Sequence, residues 1–322
     1  MPPVIEVEQL HKGYGEVVAV DDVSFSVDEG EIFGIIGPNG AGKTTTIECV
    51  IGLRTPDRGR ISVLGMDPIR DRTALTERIG VQLQEAALAD RIRVWEALDL
   101  FSSFYARTVP WQPLLQQWGL ADHRSAMFGT LSGGQRQRLF IALALVNDPD
   151  VVILDELTSG LDPQARRATW DLVQAIREQG KTVLVITHFM DEAQFLCDRV
   201  AIVDHGSVIA LDTPAQLVRT FDTESRVVFD VTADADWSAL RALPQVAAVV
   251  QQGGRVSEAN LTRRVSGANL TRRVTVSGNT DGLLSAVVAW LESNRVPFSN
   301  LSTQQADLED VFLRLTGRAI RD

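Results

Sequence analysis

Residues 32–50 read IFGIIGPNGAGKTTTIECV, and the order of residue types in this stretch decides the fold. Ile32 to Ile36 form a run without a polar face, as expected of a strand covered on both sides. GPNGAGKT follows at 37–44, matching G-x-x-x-x-G-K-[ST], and a helical stretch comes next, the context this motif requires. Holding a polyphosphate dictates these residue types. Gly37, Gly40 and Gly42 let backbone N–H groups turn inward and approach phosphate oxygens, with Pro38, Asn39 and Ala41 completing the loop. The helix that follows points its positive end at the same anion. Lys43 reaches the β/γ-phosphates as a point charge, the Thr44 hydroxyl can ligate Mg²⁺, and Thr45 is counted with the cradle.

Working outward, Val151–Leu154 and Thr182–Ile186 are further unbroken apolar runs with helical patterns between them. The architecture read from this is α/β with βα units. Nearer the start, Ile5 and Val7 alternate with Glu6 and Glu8, and Val23, Phe25 and Val27 with Ser24 and Ser26, as in half-buried antiparallel strands. Residues 86–146 read as mostly helical, with Trp95, Leu98 and Phe101 on one stripe.

Two more motifs carry chemistry. VVILDE at 151–156 ends an apolar strand on two adjacent acids. Neighbouring strand residues point opposite ways, so the two can take different tasks. Asp155 is expected to hold Mg²⁺ through water and Glu156 to polarise an attacking water. LSGGQ at 131–135 sets Ser132, Gly133, Gly134 and Gln135 at a helix start, a second anion site made of backbone N–H groups.

With these motifs in this order, residues 4–215 resemble the nucleotide-binding domain of the ABC transporter family. The resemblance implies a P-loop NTPase core with an antiparallel β subdomain and a helical subdomain. It implies ATP and Mg²⁺ as cofactors, and ATP hydrolysis. It also implies roles for single residues. Tyr14, in KGYG, corresponds to the aromatic that stacks on adenine. Gln84, in VQLQE, corresponds to the glutamine that senses Mg²⁺ and the γ-phosphate; Gln82 offers a second register, and the following Glu85 favours Gln84. Asp162, in SGLDP, falls in the loop after the catalytic acids, and His188, in ITHFMDEA, corresponds to the switch histidine. His11, His123 and His205 lack such support and are read as surface residues. The family commonly has DEPTSGLD; Leu157 replaces the proline here, which should leave Glu156 usable.

This chain holds one set of motifs. In the family, the signature of one subunit closes over the P-loop ATP of another. The resemblance therefore implies a homodimer, or a pair with a paralogue, driving a separate integral membrane permease from the cytoplasmic face of the membrane. EAALADRIRVWEALDLF, at 85–101, falls where family members meet the permease. Arg91, Arg93 and Trp95 are candidates for that contact; the alternative is a solvated helix face with Trp95 in the core.

Composition agrees with a peripheral subunit. The net charge of −11 lacks the basic footprint of a nucleic-acid binder, and no nucleic acid is expected as a partner. Two cysteines, Cys49 and Cys197, build neither a disulfide framework nor a zinc pattern, and reduced thiols are expected. MPPVIEVEQL has no signal-peptide pattern, and no run of about 18 apolar residues is present.

The charge shifts from −12 over 1–224 to +1 over 225–322. This places an ATP-binding domain at 1–220 and a small α+β accessory domain at 221–322. Val227–Val231, Val246–Val250 and Arg273–Ser277 are strand candidates. Leu283, Leu284, Val287, Val288 and Leu291 form one helical stripe, and Leu308, Val311, Phe312 and Leu315 another, with Asp307 as its N-cap. LEDVFLRLTGR at 308–318 and LDELTSGLDPQARR at 154–167 resemble the daunorubicin-resistance type of bacterial ABC exporter. That implies export of a drug or other hydrophobic compound; the alternatives are an importer ATPase and a soluble ABC ATPase acting on nucleic acid or ribosomes. ANLTRRV occurs at 259–265 and again at 268–274. It reads as a duplication lengthening a β-hairpin, or as a basic patch of Arg263, Arg264, Arg272 and Arg273 for anionic lipid or a partner.

Overall fold

A computed structural model of the chain describes residues 2–84, 87–221, 224–232, 235–252, 272–279, 282–304 and 306–317. They form two compact units, Met1–Leu217 joined by Phe312–Asp322, and Val218–Val311.

The strands of the first unit are β1 (Ile5–Tyr14), β2 (Val17–Val27), β3 (Ile32–Ile36), β4 (Arg58–Val63), β5 (Ile79–Gln82), β6 (Val151–Asp155), β7 (Thr182–Thr187), β8 (Arg199–Asp204) and β9 (Ser207–Asp212). Its helices are α1 (Lys43–Val50), α2 (Arg72–Thr76), α3 (Val94–Ser102), α4 (Trp111–Gln117), α5 (Gly133–Ala144), α6 (Pro163–Glu178) and α7 (Met190–Leu196); α8 (Pro214–Phe221) spans the join between the units.

The alternating segments pair as expected. β1 runs antiparallel to β2 with Ile5 opposite Val27 and Val7 opposite Phe25, so these four side chains share one buried face. β4 completes a three-stranded sheet on the other edge of β1. The unbroken apolar runs form the centre of a six-stranded sheet in the order β5-β6-β7-β3-β8-β9. β5, β6, β7, β3 and β8 are mutually parallel, and only β9 is antiparallel. Every residue of β3, β6 and β7 is buried, which is what a sheet covered on both faces demands.

Register then positions the site. Gln82 lies opposite Leu154, Asp155 opposite Ile186, and Ile36 opposite Thr187. The chain therefore leaves four adjacent strands at one edge, and Gln84, Glu156, His188 and the Gly37 loop follow those four ends. Open α/β sheets gather ligands at such carboxyl ends.

The segment read as mostly helical consists of α3, α4 and α5 with two short 3₁₀ turns, Ala121–His123 and Phe128–Thr130, between them. On α3 the fully buried positions are Val94, Ala97 and Leu98, whereas Trp95 and Phe101 are half-buried. The buried stripe is thus centred one position off the aromatic one.

The second unit is a four-stranded antiparallel sheet. Its strands are β10 (Glu224–Val231), β11 (Val246–Gln252), β12 (Arg272–Asn279) and β13 (Phe298–Gln304), in the order β11-β12-β10-β13. Helices α9 (Ser238–Arg241) and α10 (Leu283–Ser293) belong to it, and α11 (Leu308–Thr316) begins in it. Val227, Phe229, Val231, Val274 and Val276 meet Trp237, Leu283, Val287, Trp290 and Leu291 in its core, with the two indole rings 5.3 Å apart. The α10 stripe needs one correction: Leu284 is exposed and Trp290 fills the buried face. Asp307 caps α11, its Oδ1 accepting the Asp310 N–H at 3.0 Å.

Most of the ANLTRRV repeat, including Arg263 and Arg264, lies outside the described residues. Arg273 is in β12, with its Nε 3.1 Å from Asp230 Oδ1, an internal ion pair.

Candidate active site

The loop Gly37–Thr44 is built so tightly that two of its glycines are obligatory. A Cβ on Gly37 would stand 2.1 Å from the Val203 carbonyl oxygen, and one on Gly42 2.3 Å from that of Ala19. Gly42 also has φ of +98°, a conformation side chains rarely adopt, and immediately precedes α1. Lys43 turns back into the loop. Its Nζ donates to the Gly37 carbonyl at 2.8 Å and the Pro38 carbonyl at 3.0 Å, and the residue is only 5% exposed. Burial lowers the proton affinity of this amine, while Glu156 and Asp155 pull it the other way. Ala41 is buried, Pro38 and Thr45 are half-buried, and Asn39, Gly40 and Thr44 are exposed at the mouth.

Asp155 closes β6 almost entirely buried, and burial, reinforced by neighbouring Glu156, pushes its carboxyl up to about 6. Its Oδ1 is buried and has no hydrogen-bond partner among the described residues. An orphaned carboxylate oxygen beside a buried lysine is an acceptor prepared for a cation. With the Thr44 hydroxyl and the Gln84 amide, it offers oxygen donors too few for a full cage. That suits a small hard cation that completes its octahedron with phosphate and water. Among the described residues, no cluster of three His, Cys, Asp or Glu side chains offers an alternative metal centre.

Glu156 is the best-held side chain of the site. Its Oε2 accepts from Gln84 Nε2 at 2.8 Å and from the Ser159 hydroxyl at 3.1 Å, and its Oε1 lies 3.1 Å from His188 Nδ1. The carboxylate can only accept, so Nδ1 carries the proton. The backbone at Glu156 is left-handed, with φ of +47°, and its N–H donates to the Ile186 carbonyl at 2.9 Å. The turn away from the sheet thus begins at the acid itself. Gln84, not Gln82, reaches the acid: Gln82 is buried in β5 and donates to the Leu83 carbonyl. Leu157 is fully buried, so an apolar side chain anchors the turn where the family commonly has proline.

The signature forms a separate constellation. Ser132 is the N-cap of α5 in a capping box: Gln135 N–H donates to Ser132 Oγ at 3.3 Å, and Ser132 N–H to Gln135 Oε1 at 2.9 Å. Ser132 and Gly133 are exposed. Neither glycine of the pair is required by its own surroundings. A Cβ on Gly133 would meet nothing nearer than Leu161 at 3.8 Å, and one on Gly134 nothing nearer than Ala165 at 3.6 Å. Asp162 caps α6, its Oδ1 accepting from the Gln164 and Ala165 N–H groups at 3.0 and 2.9 Å. A cleft of about 260 Å³ lies here, lined by Gly134, Arg138, Asp162, Gln164 and Thr169 among others. Among the described residues, no hydrogen bond joins this constellation to Gly37–Thr44.

The remaining predicted residues are dispersed. Tyr14 ends β1 with 42% of its surface exposed, and the cations of Lys12 and Arg54 stand 5.6 and 5.8 Å from its ring centre. Arg91 is exposed, whereas Arg93 caps α3 and donates to the Ser125 carbonyl at 2.8 Å. His205 is at the surface and His11 is paired with Asp21, but His123 is half-buried against the signature, with Nε2 2.8 Å from Gln135 Nε2. Sequence reasoning missed that contact. It also missed Glu192, a fully buried acid whose Oε1 accepts from the Thr158 hydroxyl and Trp170 Nε1, both at 2.9 Å. Glu192 thereby ties the turn after Glu156 to α6 and α7. An acid in the first turn of a helix normally reads as a solvated partner of the helix dipole, so nothing in the pattern marks it as buried.

Comparison with known proteins gives a consistent result. The family described as ABC transporter matches residues 20–159. The Nod factor export ATP-binding protein I of Ralstonia nicotianae is 38% identical, covering 99% of this chain and 96% of its own length. The linearmycin resistance ATP-binding protein LnrL of Bacillus subtilis is 33% identical, covering 99% of this chain and all of its own. Among solved structures, an ATP-binding subunit of an ABC transporter superposes with a TM-score of 0.62 at 31% identity, covering 68% of this chain and 93% of that one. A bacterial ABC transporter cassette solved as a dimer has a TM-score of 0.58 at 27% identity, covering 65% and 98%.

Proposed function

The chain belongs to the ABC transporter ATP-binding family, and from that premise we propose that it powers export of a drug or other hydrophobic compound through a separate membrane permease. It is an ATPase subunit, and its full-length relatives are named for export and for resistance. Among the described residues no helix is long and apolar enough to cross a membrane, in keeping with a peripheral subunit.

The observation that carries the reading is the meeting of the Gly37–Thr44 loop, Asp155, Glu156, Gln84 and His188 at four adjacent strand ends. ATP enters with adenine against Tyr14 and its phosphates in the loop. Lys43 exchanges the Gly37 and Pro38 carbonyls for phosphate oxygens. Asp155, Thr44 and Gln84 would hold Mg²⁺, which neutralises developing charge on the phosphates. Glu156 accepts a hydrogen bond from the attacking water and directs its lone pair at the γ-phosphorus; the bond from that phosphorus to the bridging oxygen breaks, giving ADP and phosphate. His188 and Gln84 fix the carboxylate so that little reorganisation is needed.

The signature completes the site from outside. Ser132 and Gly133 are exposed and Gly134 is half-buried, and the two glycines are unexplained by their own fold. A backbone that a phosphate must approach closely explains them. A second copy facing this one supplies two such signatures to two P-loops, with ATP holding the pair together. Glu156→Gln should keep ATP binding, lower turnover by roughly 10²–10⁴-fold, and leave an ATP-bound dimer that sedimentation detects. Wild-type turnover in that variant would refute the assignment.

A further inference from the structure

We propose that His123 is a positioning residue for the signature, holding Gln135 through an imidazole protonated on Nδ1 only. The inference rests on the two-copy reading above and adds a member to its machinery. Hydrogen-bond polarity carries it. The Ser132 backbone N–H can only donate, and it points at Gln135 Oε1 from 2.9 Å. That identifies the amide oxygen, so the amide nitrogen is the atom 2.8 Å from His123 Nε2. An NH₂ group can only donate. Nε2 must therefore present its lone pair, and the ring proton resides on Nδ1. The opposite tautomer, or the imidazolium, would set donor against donor.

The consequence reaches the exposed N-terminus of α5. Gln135 has one side-chain atom on Ser132 and the other on His123, so its rotamer is clamped at both ends. The same side chain closes the capping box that fixes Ser132, Gly133 and Gly134, the atoms a facing phosphate would meet. Asp122 and Arg124 flank His123 on its own turn. The neighbouring cations of α5 are turned elsewhere: Arg136 to the Leu131 and Gly129 carbonyls, Arg138 to those of Gly134 and Trp118. The amide of Gln135 is thus the partner that selects the tautomer. Half-burial of His123 limits competition from water for that lone pair.

Two measurements on the full chain test this. With four histidines in the sequence, long-range ¹H–¹⁵N correlation of the imidazoles resolves each ring. His123 should show an unprotonated Nε2 that Gln135→Leu releases; a protonated Nε2 in the parent chain overturns the proposal. Second, ATP-driven dimerisation is followed in the Glu156→Gln background. His123→Ala and His123→Lys remove the acceptor and should raise the ATP concentration needed by roughly fivefold, the worth of one hydrogen bond. His123→Gln keeps an acceptor and should restore the parent value. Equal dimerisation in all three overturns the positioning role alone. Failure of the Glu156→Gln parent to dimerise with ATP overturns the two-copy reading first, and this role with it.

Discussion

Lys43 turns its ammonium back into the loop that follows β3 and is almost wholly buried there. Its two carbonyl partners keep the loop shaped, so ATP inherits a formed cradle. Lys43→Ala leaves those carbonyls without their donor and removes the cation; ATP affinity measured by calorimetry should fall by roughly 10–100-fold, the scale of a charged hydrogen bond. Gly133 is the converse case. A Cβ added there would have room and the backbone is helical, so Gly133→Ala should leave the melting temperature unchanged or slightly raised. ATP-driven dimerisation should nevertheless be lost, and a variant that dimerises normally would place the phosphate elsewhere. Much of this scale was legible in advance. Gly37, Lys43, Asp155 and Glu156 declare themselves through residue type and spacing, because phosphate geometry admits few alternatives. His123 and Glu192 do not, because each acts through a hydrogen bond to a residue 12 or 22–34 positions away. No local pattern encodes such a bond.

At the scale of elements, the C-terminal edge of the parallel sheet gathers the chemistry, and Glu192 braces it from behind. Burial raises the Glu192 carboxyl above its ordinary 4.5, against the hydrogen bonds from Thr158 and Trp170. Such a group favours the fold while protonated. Its stabilising contribution is complete below the unfolded value and is lost as pH rises through the folded one. Glu192→Gln keeps an acceptor oxygen without the charge, so its melting temperature should gain on the parent as pH rises above about 4.5. Parallel melting curves across that range would show that the acid is not titrating inside the fold. Elements were legible wherever burial imposed a period. β3, β6 and β7 stand out as unbroken apolar runs, and β1 and β2 as alternations. β13 escaped notice because nearly all of FSNLSTQ is exposed, so neither face leaves an apolar signature. On α10, Leu284 and Trp290 are both apolar and only packing decides between them.

At the scale of the molecule, a single set of motifs makes cooperation between copies the central expectation. Specific ATPase activity should rise with protein concentration until dimers saturate, and rate should depend sigmoidally on ATP. A rate per chain that is flat across dilution would point to an active monomer. The order of the units along the chain has a further consequence. The unit that carries the active site takes in Met1–Leu217 and then Phe312 onward, with Val218–Val311 between them. During synthesis, the P-loop, the acids and the signature all leave the ribosome early. Their unit still lacks its last segment until the whole second unit has followed. A chain cut between residues 217 and 312 would therefore carry the Gly37–Thr44 loop, both acids and Ser132–Gln135 without the last segment of their own unit, and should melt below the full chain.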